Sequence, residues 1–166
     1  AKEALAETTT YPLSHPRVRE LAREAVGDAK TDREKVERLV KFVNGYITPS
    51  YTAEPLNLLK LIREKQGDCS EYALLFAALA RAAGVPCREV GGLVYMGDAE
   101  KAFGPHAWNE VVLDGKWVPV DASVPQAEID PTHVRYGSAA GDGMLNLAAS
   151  FAGMSFRVVE VKRRGE

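Results

Sequence analysis

From Asp68 to Ala83 the chain reads D-C-S-E-Y-A-L-L-F-A-A-L-A-R-A-A, apolar almost all round after its first turn. A helix without a polar face has to be surrounded by protein, so this segment belongs at the centre of whatever the chain builds. Asp68 suits the N-cap and Glu71 the third helical position, the two halves of a capping box. Gly84 supplies a C-terminal stop, with Pro86 just beyond it. The N-terminus is therefore the one polar end of a buried helix, and Cys69 stands in its first turn. The longest uninterrupted apolar run, Tyr72 to Ala80, falls far short of the ~20 residues a membrane span needs. No membrane span is expected in this chain.

Upstream, apolar residues recur at helical spacing. Pro16 stands where a first helical residue would, with Val18, Leu21, Ala22, Ala25 and Val26 on one face, and Gly27 closing the helix. Thr31 to Glu34 forms a second capping box, followed by Val36, Leu39, Val40, Val43 and Ile47, with Asn44-Gly45 as an end signal. Pro55 is expected to open a third helix carrying Leu56, Leu59 and Ile62 and stopping near Gly67. The charge-rich run from Asp32 to Lys41 reads as a solvated face with Glu34–Arg38 and Glu37–Lys41 pairs. His15 reads as a helix-entry residue.

Downstream the periodicity changes. Cys87 to Tyr95 is strand-like, with Cys87 a small filler on it, and Gly97 to Pro105 reads as a loop. His106 to Leu113 and Lys116 to Asp121 flank Asp114-Gly115, a strong hairpin signal. Gly137 to Gly143 reads as a loop and Ser155 to Lys162 as a last strand. Helices first and strands after imply an α+β domain, with N-terminal helices and the buried Cys-bearing helix packed on an antiparallel β-sheet.

A length of 166 residues suits one domain, 1–166, in which residues 1–13 read as a linker from a longer chain with a domain or targeting segment upstream. A formal net charge of −2 argues against a nucleic-acid groove or a polybasic membrane patch. Two cysteines are too few for a disulfide scaffold, no CxxC pair suggests structural zinc, and no D-x-D-x-D loop suggests calcium. No metal or other cofactor is called for.

The chemistry-bearing residues converge through the hairpin. If Asp114-Gly115 forms a two-residue turn, Leu113 pairs with Lys116 and paired numbers sum to 229 throughout. His106, Trp108 and Glu110 then share a face with Ser123, Asp121 and Pro119. Asp121 is the diagonal neighbour of His106, roughly 7–8 Å away at the backbone and within side-chain reach; a turn longer by one residue would put it on the opposite face. A carboxylate beside an imidazole fixes the ring's orientation and stabilises its protonated form. The other ring nitrogen can take a thiol proton. At a helix N-terminus, unpaired amides and the helix dipole favour the Cys69 thiolate, while the neighbouring Asp68 opposes it. Cys69, His106 and Asp121 are thus of the types needed for nucleophile, base and orienter.

Gly67 to Arg88, G-D-C-S-E-Y-A-L-L-F-A-A-L-A-R-A-A-G-V-P-C-R, resembles the nucleophile segment of the transglutaminase-like superfamily. H-A-W-N-E-V from His106 and W-V-P-V-D ending at Asp121 resemble its histidine and aspartate segments, in that chain order. D-P-T-H-V-R from Asp130 is similar to a stretch that comes after the aspartate in bacterial members; His133 within it reads as a turn histidine satisfying local hydrogen bonds. The resemblance implies a papain-like fold core, a Cys69–His106–Asp121 triad and acyl transfer from peptide or side-chain amides. The expected partner is thus a peptide or protein substrate. A thioester-forming site needs two donors for the developing oxyanion. The Cys69 amide is a natural first, and Gln66, Tyr51 and Trp108 stand open as the second. Trp108 is expected to wall the substrate pocket and exclude water from the pair. Hydrolysis, transfer to an amine, and an inactive peptide-binding module all remain compatible with the sequence, with hydrolysis favoured by the small size of the domain.

Overall fold

The computed structural model describes residues 2–51, 55–97 and 99–138. After a short 3₁₀ turn at Glu3–Leu5 come helices α1 (Pro16–Val26), α2 (Asp32–Tyr46), α3 (Leu58–Glu64) and α4 (Cys69–Ala82). A two-residue parallel ladder joins β1 (Thr48–Pro49) to β2 (Gln66–Gly67). Strands β3 (Cys87–Tyr95), β4 (Phe103–Leu113), β5 (Lys116–Val120) and β6 (His133–Ser138) form an antiparallel sheet in the order β5-β4-β3-β6.

α4 lies between the other helices and the sheet, against β3 and β4 on one side and α1, α2 and α3 on the other. Every residue from Tyr72 to Ala80 is buried. Its capping box forms as the sequence predicts: the Asp68 carboxylate accepts from the amides of Ser70 and Glu71, and Glu71 accepts from the Asp68 amide. Gly67 is what lets the glutamate fold back, because a Cβ there would lie 2.3 Å from that of Glu71. α2 is likewise opened by the Thr31–Glu34 box, and His15 caps α1 through its Nδ1 atom.

The hairpin register is the predicted one. Asp114 and Gly115 take positive φ (53° and 76°), the two-residue turn whose twist suits flanking strands. Leu113 pairs with Lys116 and the ladder runs to Asn109 opposite Val120, every pair summing to 229.

Elsewhere the structure corrects the reading. The third helix begins at Leu58, because Asn57 caps it by accepting from the Lys60 amide at 2.9 Å. Its buried residues are Leu58, Leu61 and Ile62, and Lys65 ends it in the left-handed region (φ 56°) so that the chain can enter β2. β4 starts at Phe103, within the expected loop, where it pairs with Tyr95. Glu34 serves the capping box, while Arg38 reaches Asp28 at 2.6 Å. Gly137 and Ser138 belong to β6; the remainder of that expected loop, and the strand expected over Ser155 to Lys162, lie outside the described residues. The stretch read as a linker carries two buried side chains, Ala4 and Tyr11. The Tyr11 hydroxyl donates to the buried carboxylate of Glu89, and the Arg81 guanidinium covers its ring at 3.9 Å.

Candidate active site

Cys69 occupies the first position of α4. The capping box takes the next two amides, of Ser70 and Glu71, so the Cys69 amide lies outside it. The thiol is partly exposed, packs on Ala73 and Ala107, and lies near enough to the ring of His106 to raise that ring's basicity. β4 carries that ring: His106 sits opposite Gly92 and is 8% exposed. Three residues on, Asn109 donates to the carbonyl of Ala73 at 3.0 Å, tying β4 to the Cys helix one turn from the thiol.

Asp121 comes directly after β5, in a tight turn closed by mutual backbone hydrogen bonds with Gln126 at 2.8 Å. Its carboxylate is 1% exposed and fully engaged. Oδ1 accepts from the Ser123 amide (2.8 Å), the Ser123 hydroxyl (2.7 Å) and the Val124 amide (3.3 Å). Oδ2 lies 2.6 Å from His106 Nε2. With Nε2 so engaged, Nδ1 is the nitrogen left for Cys69. Asn44 anchors the turn from behind, donating from α2 to the carbonyls of Ala122 and Ser123 at 2.9 and 3.2 Å. The sequence reads Asn44 as a helix end; its amide instead holds the aspartate turn.

Trp108 is 1% exposed and stacks beside His106, ring centroids 6.1 Å apart, closing that side to water. Its indole Nε1 has no partner among the described residues. Gln66 is exposed on β2 and borders a surface depression with Asn57, Lys60 and Glu71. Tyr51, just beyond β1, is 95% exposed. Cys87 is fully buried on β3, and burial pushes its thiol well above the ordinary range.

One more residue enters the site. His133, at the start of β6, places its Nε2 3.2 Å from the same Asp121 Oδ2. His106, Asp121 and His133 are the described residues compact enough to surround a cation, with ligand atoms all within 4.8 Å of one another. Both Nε2 atoms are directed at Oδ2 itself, so hydrogen bonds already use the three ligand atoms.

Burial alone would depress the basicity of His106, but the hydrogen bonds to Asp121 and Cys69 and their charges outweigh it and raise the ring to about 9. Burial acts on Asp121 the other way, and its bonds from His106 and His133 hold it well below the usual carboxylate range. The pair therefore couples stability to pH. His106, raised in the folded state, contributes in full below its unfolded value of about 6.5, and the contribution fades as pH climbs through about 9. Asp121, depressed, contributes above about 3.9 and fades as pH falls below that. Urea unfolding should show greatest stability between these limits, with a loss of about 3 kcal/mol from pH 6 to pH 9.5. The variant His106→Gln should lack that slope; an equal slope in both proteins would mean that another group produces it.

Comparison with known proteins agrees with the fold. The model of the transglutaminase-like superfamily matches residues 19–122, a span containing Cys69, His106 and Asp121. The kyphoscoliosis peptidase of Homo sapiens is 28% identical over 128 residues, 67% of this chain and 18% of that protein. The Mus musculus protein of the same name is 27% identical over 134 residues, 70% of this chain and 19% of its own. Among solved structures, a candidate cysteine protease from Cytophaga hutchinsonii superposes with a TM-score of 0.71 at 19% identity, covering 88% of this chain and 49% of that one. The periplasmic domain of TgpA from Pseudomonas aeruginosa gives 0.56 at 25% identity, covering 75% and 46%. The chain thus spans less than a fifth of the curated relatives it matches and less than half of either solved chain. With most of its helical half and the strands up to the aspartate turn inside the family match, the chain belongs to the transglutaminase-like superfamily.

Proposed function

We propose that the protein is a cysteine-dependent acyl-transfer enzyme acting on peptide or side-chain amides, chiefly as a hydrolase, through Cys69, His106 and Asp121. The observation that carries this reading is the placement of His106. One imidazole stands between a partly exposed thiol at a helix N-terminus and a buried carboxylate, with its Nε2 2.6 Å from Asp121 Oδ2. In the mechanism, the Cys69 proton passes to His106 Nδ1, and the sulfur attacks the amide carbonyl carbon. The developing oxyanion is met by the Cys69 amide at the helix N-terminus, with Gln66 or Tyr51 as second donor. His106 then returns its proton to the leaving nitrogen, and the C–N bond breaks to give a thioester. Water attacks the thioester as His106 takes its proton; the C–S bond breaks, the acid departs and the thiol is restored. An amine in place of that water would give transfer, the alternative outcome of the same site. Hydrolysis is favoured because relatives are named as a peptidase and a candidate cysteine protease.

The experiment is differential alkylation and then product analysis. At neutral pH iodoacetamide should modify Cys69 at least about tenfold faster than the buried Cys87, and the preference should vanish in His106→Ala. A glutamine-containing peptide offered with and without a primary amine then separates the products by mass. Equal, slow labelling of both cysteines would instead identify an inert peptide-binding module.

A further inference from the structure

We infer that His133 is a positioning residue of this site: it donates a hydrogen bond from β6 to Asp121 Oδ2, the oxygen that holds His106, and so fixes where that carboxylate and the ring bound to it point. The inference rests on the triad proposed above. The donors to Asp121 Oδ1 all come from Ser123 and Val124, residues of the same turn, which travel with the aspartate if the turn shifts. His133 ties the carboxylate to a different element, on the far side of β3 from β4.

The surroundings of His133 are built to aim it. Its side chain is 1% exposed. Its other nitrogen, Nδ1, meets the Thr132 hydroxyl oxygen at 3.3 Å and Asp130 Oδ1 at 3.5 Å, and the Thr132 hydroxyl hydrogen is itself donated to Asp130. Contacts on that edge fix the ring's rotation and leave Nε2 facing Asp121. The ring's plane stands at 76° to that of Trp108, centroids 5.3 Å apart, and its centroid is 5.6 Å from that of His106. A bulge completes the arrangement. β3 pairs Gly91 with Gly137 but Gly92 with Arg135, so Tyr136 is an extra residue in β6. An extra residue reverses the facing of the strand on its N-terminal side relative to its C-terminal side, and His133 lies on the N-terminal side. An apolar side chain would fill the same volume, so a donor here is not required by packing.

Three variants and two readouts test this. His133→Leu keeps bulk without a donor, and His133→Gln places an amide donor near Nε2. Both should unfold at similar temperatures. Leucine should slow Cys69 alkylation by iodoacetamide and lower kcat roughly tenfold, the rate equivalent of one hydrogen bond, with KM little changed. Glutamine should recover to within about threefold of wild type. Leucine and glutamine behaving alike would overturn the inference and leave His133 as packing alone. If leucine fails to fold, Thr132→Val frees Nδ1 while keeping His133, and should still cost about twofold in both readouts; no change there would also overturn it. Alkylation also separates the positioning role from the triad. A Cys69 that reacts with His106 dependence but is indifferent to position 133 refutes the positioning role only, whereas a Cys69 without His106 dependence refutes the triad and this inference together.

Discussion

Cys69→Ala should abolish amide turnover and leave the unfolding midpoint unchanged. The thiol is partly exposed and touches two small side chains, Ala73 and Ala107, so its removal opens little cavity. Alanine is the strongest helix former and sits here in the first turn of α4. Without sulfur there is no thioester, and the remaining oxyanion donors and substrate contacts are not expected to support turnover; a loss of at least ~10⁴ in kcat is expected. Asp121→Asn tests the same machinery at its other end, for a reason specific to this carboxylate. Both of its oxygens accept from donors: three on Oδ1, and His106 with His133 on Oδ2. An asparagine NH₂ must face donors whichever way it turns. It either breaks the aspartate turn or forces His106 to shift its proton to Nδ1, where it can no longer take one from Cys69. The expected fall is ~10³–10⁴ in kcat with nearly native circular dichroism. Turnover that survives either substitution within about tenfold would remove these residues from the chemistry.

What the sequence makes legible and what it hides divide along a physical line. The buried helix, both capping boxes and the Asp114-Gly115 hairpin depend on neighbours a few residues apart, and each leaves a pattern. The hairpin matters most, because one two-residue turn sets every pairing from Leu113 to Asn109 and so carries Asp121 towards His106. Asn44 and His133 read as a helix end and a turn histidine because their partners are distant in the chain. Asn44 meets the backbone of Ala122, 78 positions on, and a single long-range amide contact has no periodicity to betray it. His133 belongs to a six-residue strand interrupted by a bulge, too short and irregular for alternation to show. Tyr11 is hidden for the same reason, a lone aromatic in a polar stretch whose partner, Glu89, is on β3. The third helix reads as starting at Pro55 because the side-chain cap of Asn57, which fixes its start at Leu58, leaves no periodic pattern.

Gly92→Ala should be strongly damaging to the sheet. Gly92 sits on β3 between His106 of β4 and Arg135 of β6, beside the bulge. A Cβ there would lie 2.0 Å from the carbonyl oxygen of Val134 and 2.6 Å from Trp108 Cη2. Neither neighbour can yield cheaply. The carbonyl is backbone of β6, and the indole is enclosed at 1% exposure against both histidines. Overpacking of a filled interior costs about 1–3 kcal/mol, and here the backbone clash places the effect at the upper end. The strain also has a direction: it pushes β6 and the Trp108 ring away from β3, so His133 and His106 move relative to Asp121. Displacement of reacting groups by about 1 Å is worth ~10²-fold in rate, so activity should fall by that order even below the melting transition. Gly45→Ala supplies the contrast. No atom lies within 4 Å of a Cβ at that helical position, and relief of glycine's entropy cost should stabilise the protein by about 0.5–1 kcal/mol without touching the rate. Thermal unfolding and turnover measured together on the two variants decide the matter. If Gly92→Ala keeps native activity, the spacing of β6 from β3 does not set the geometry of the site.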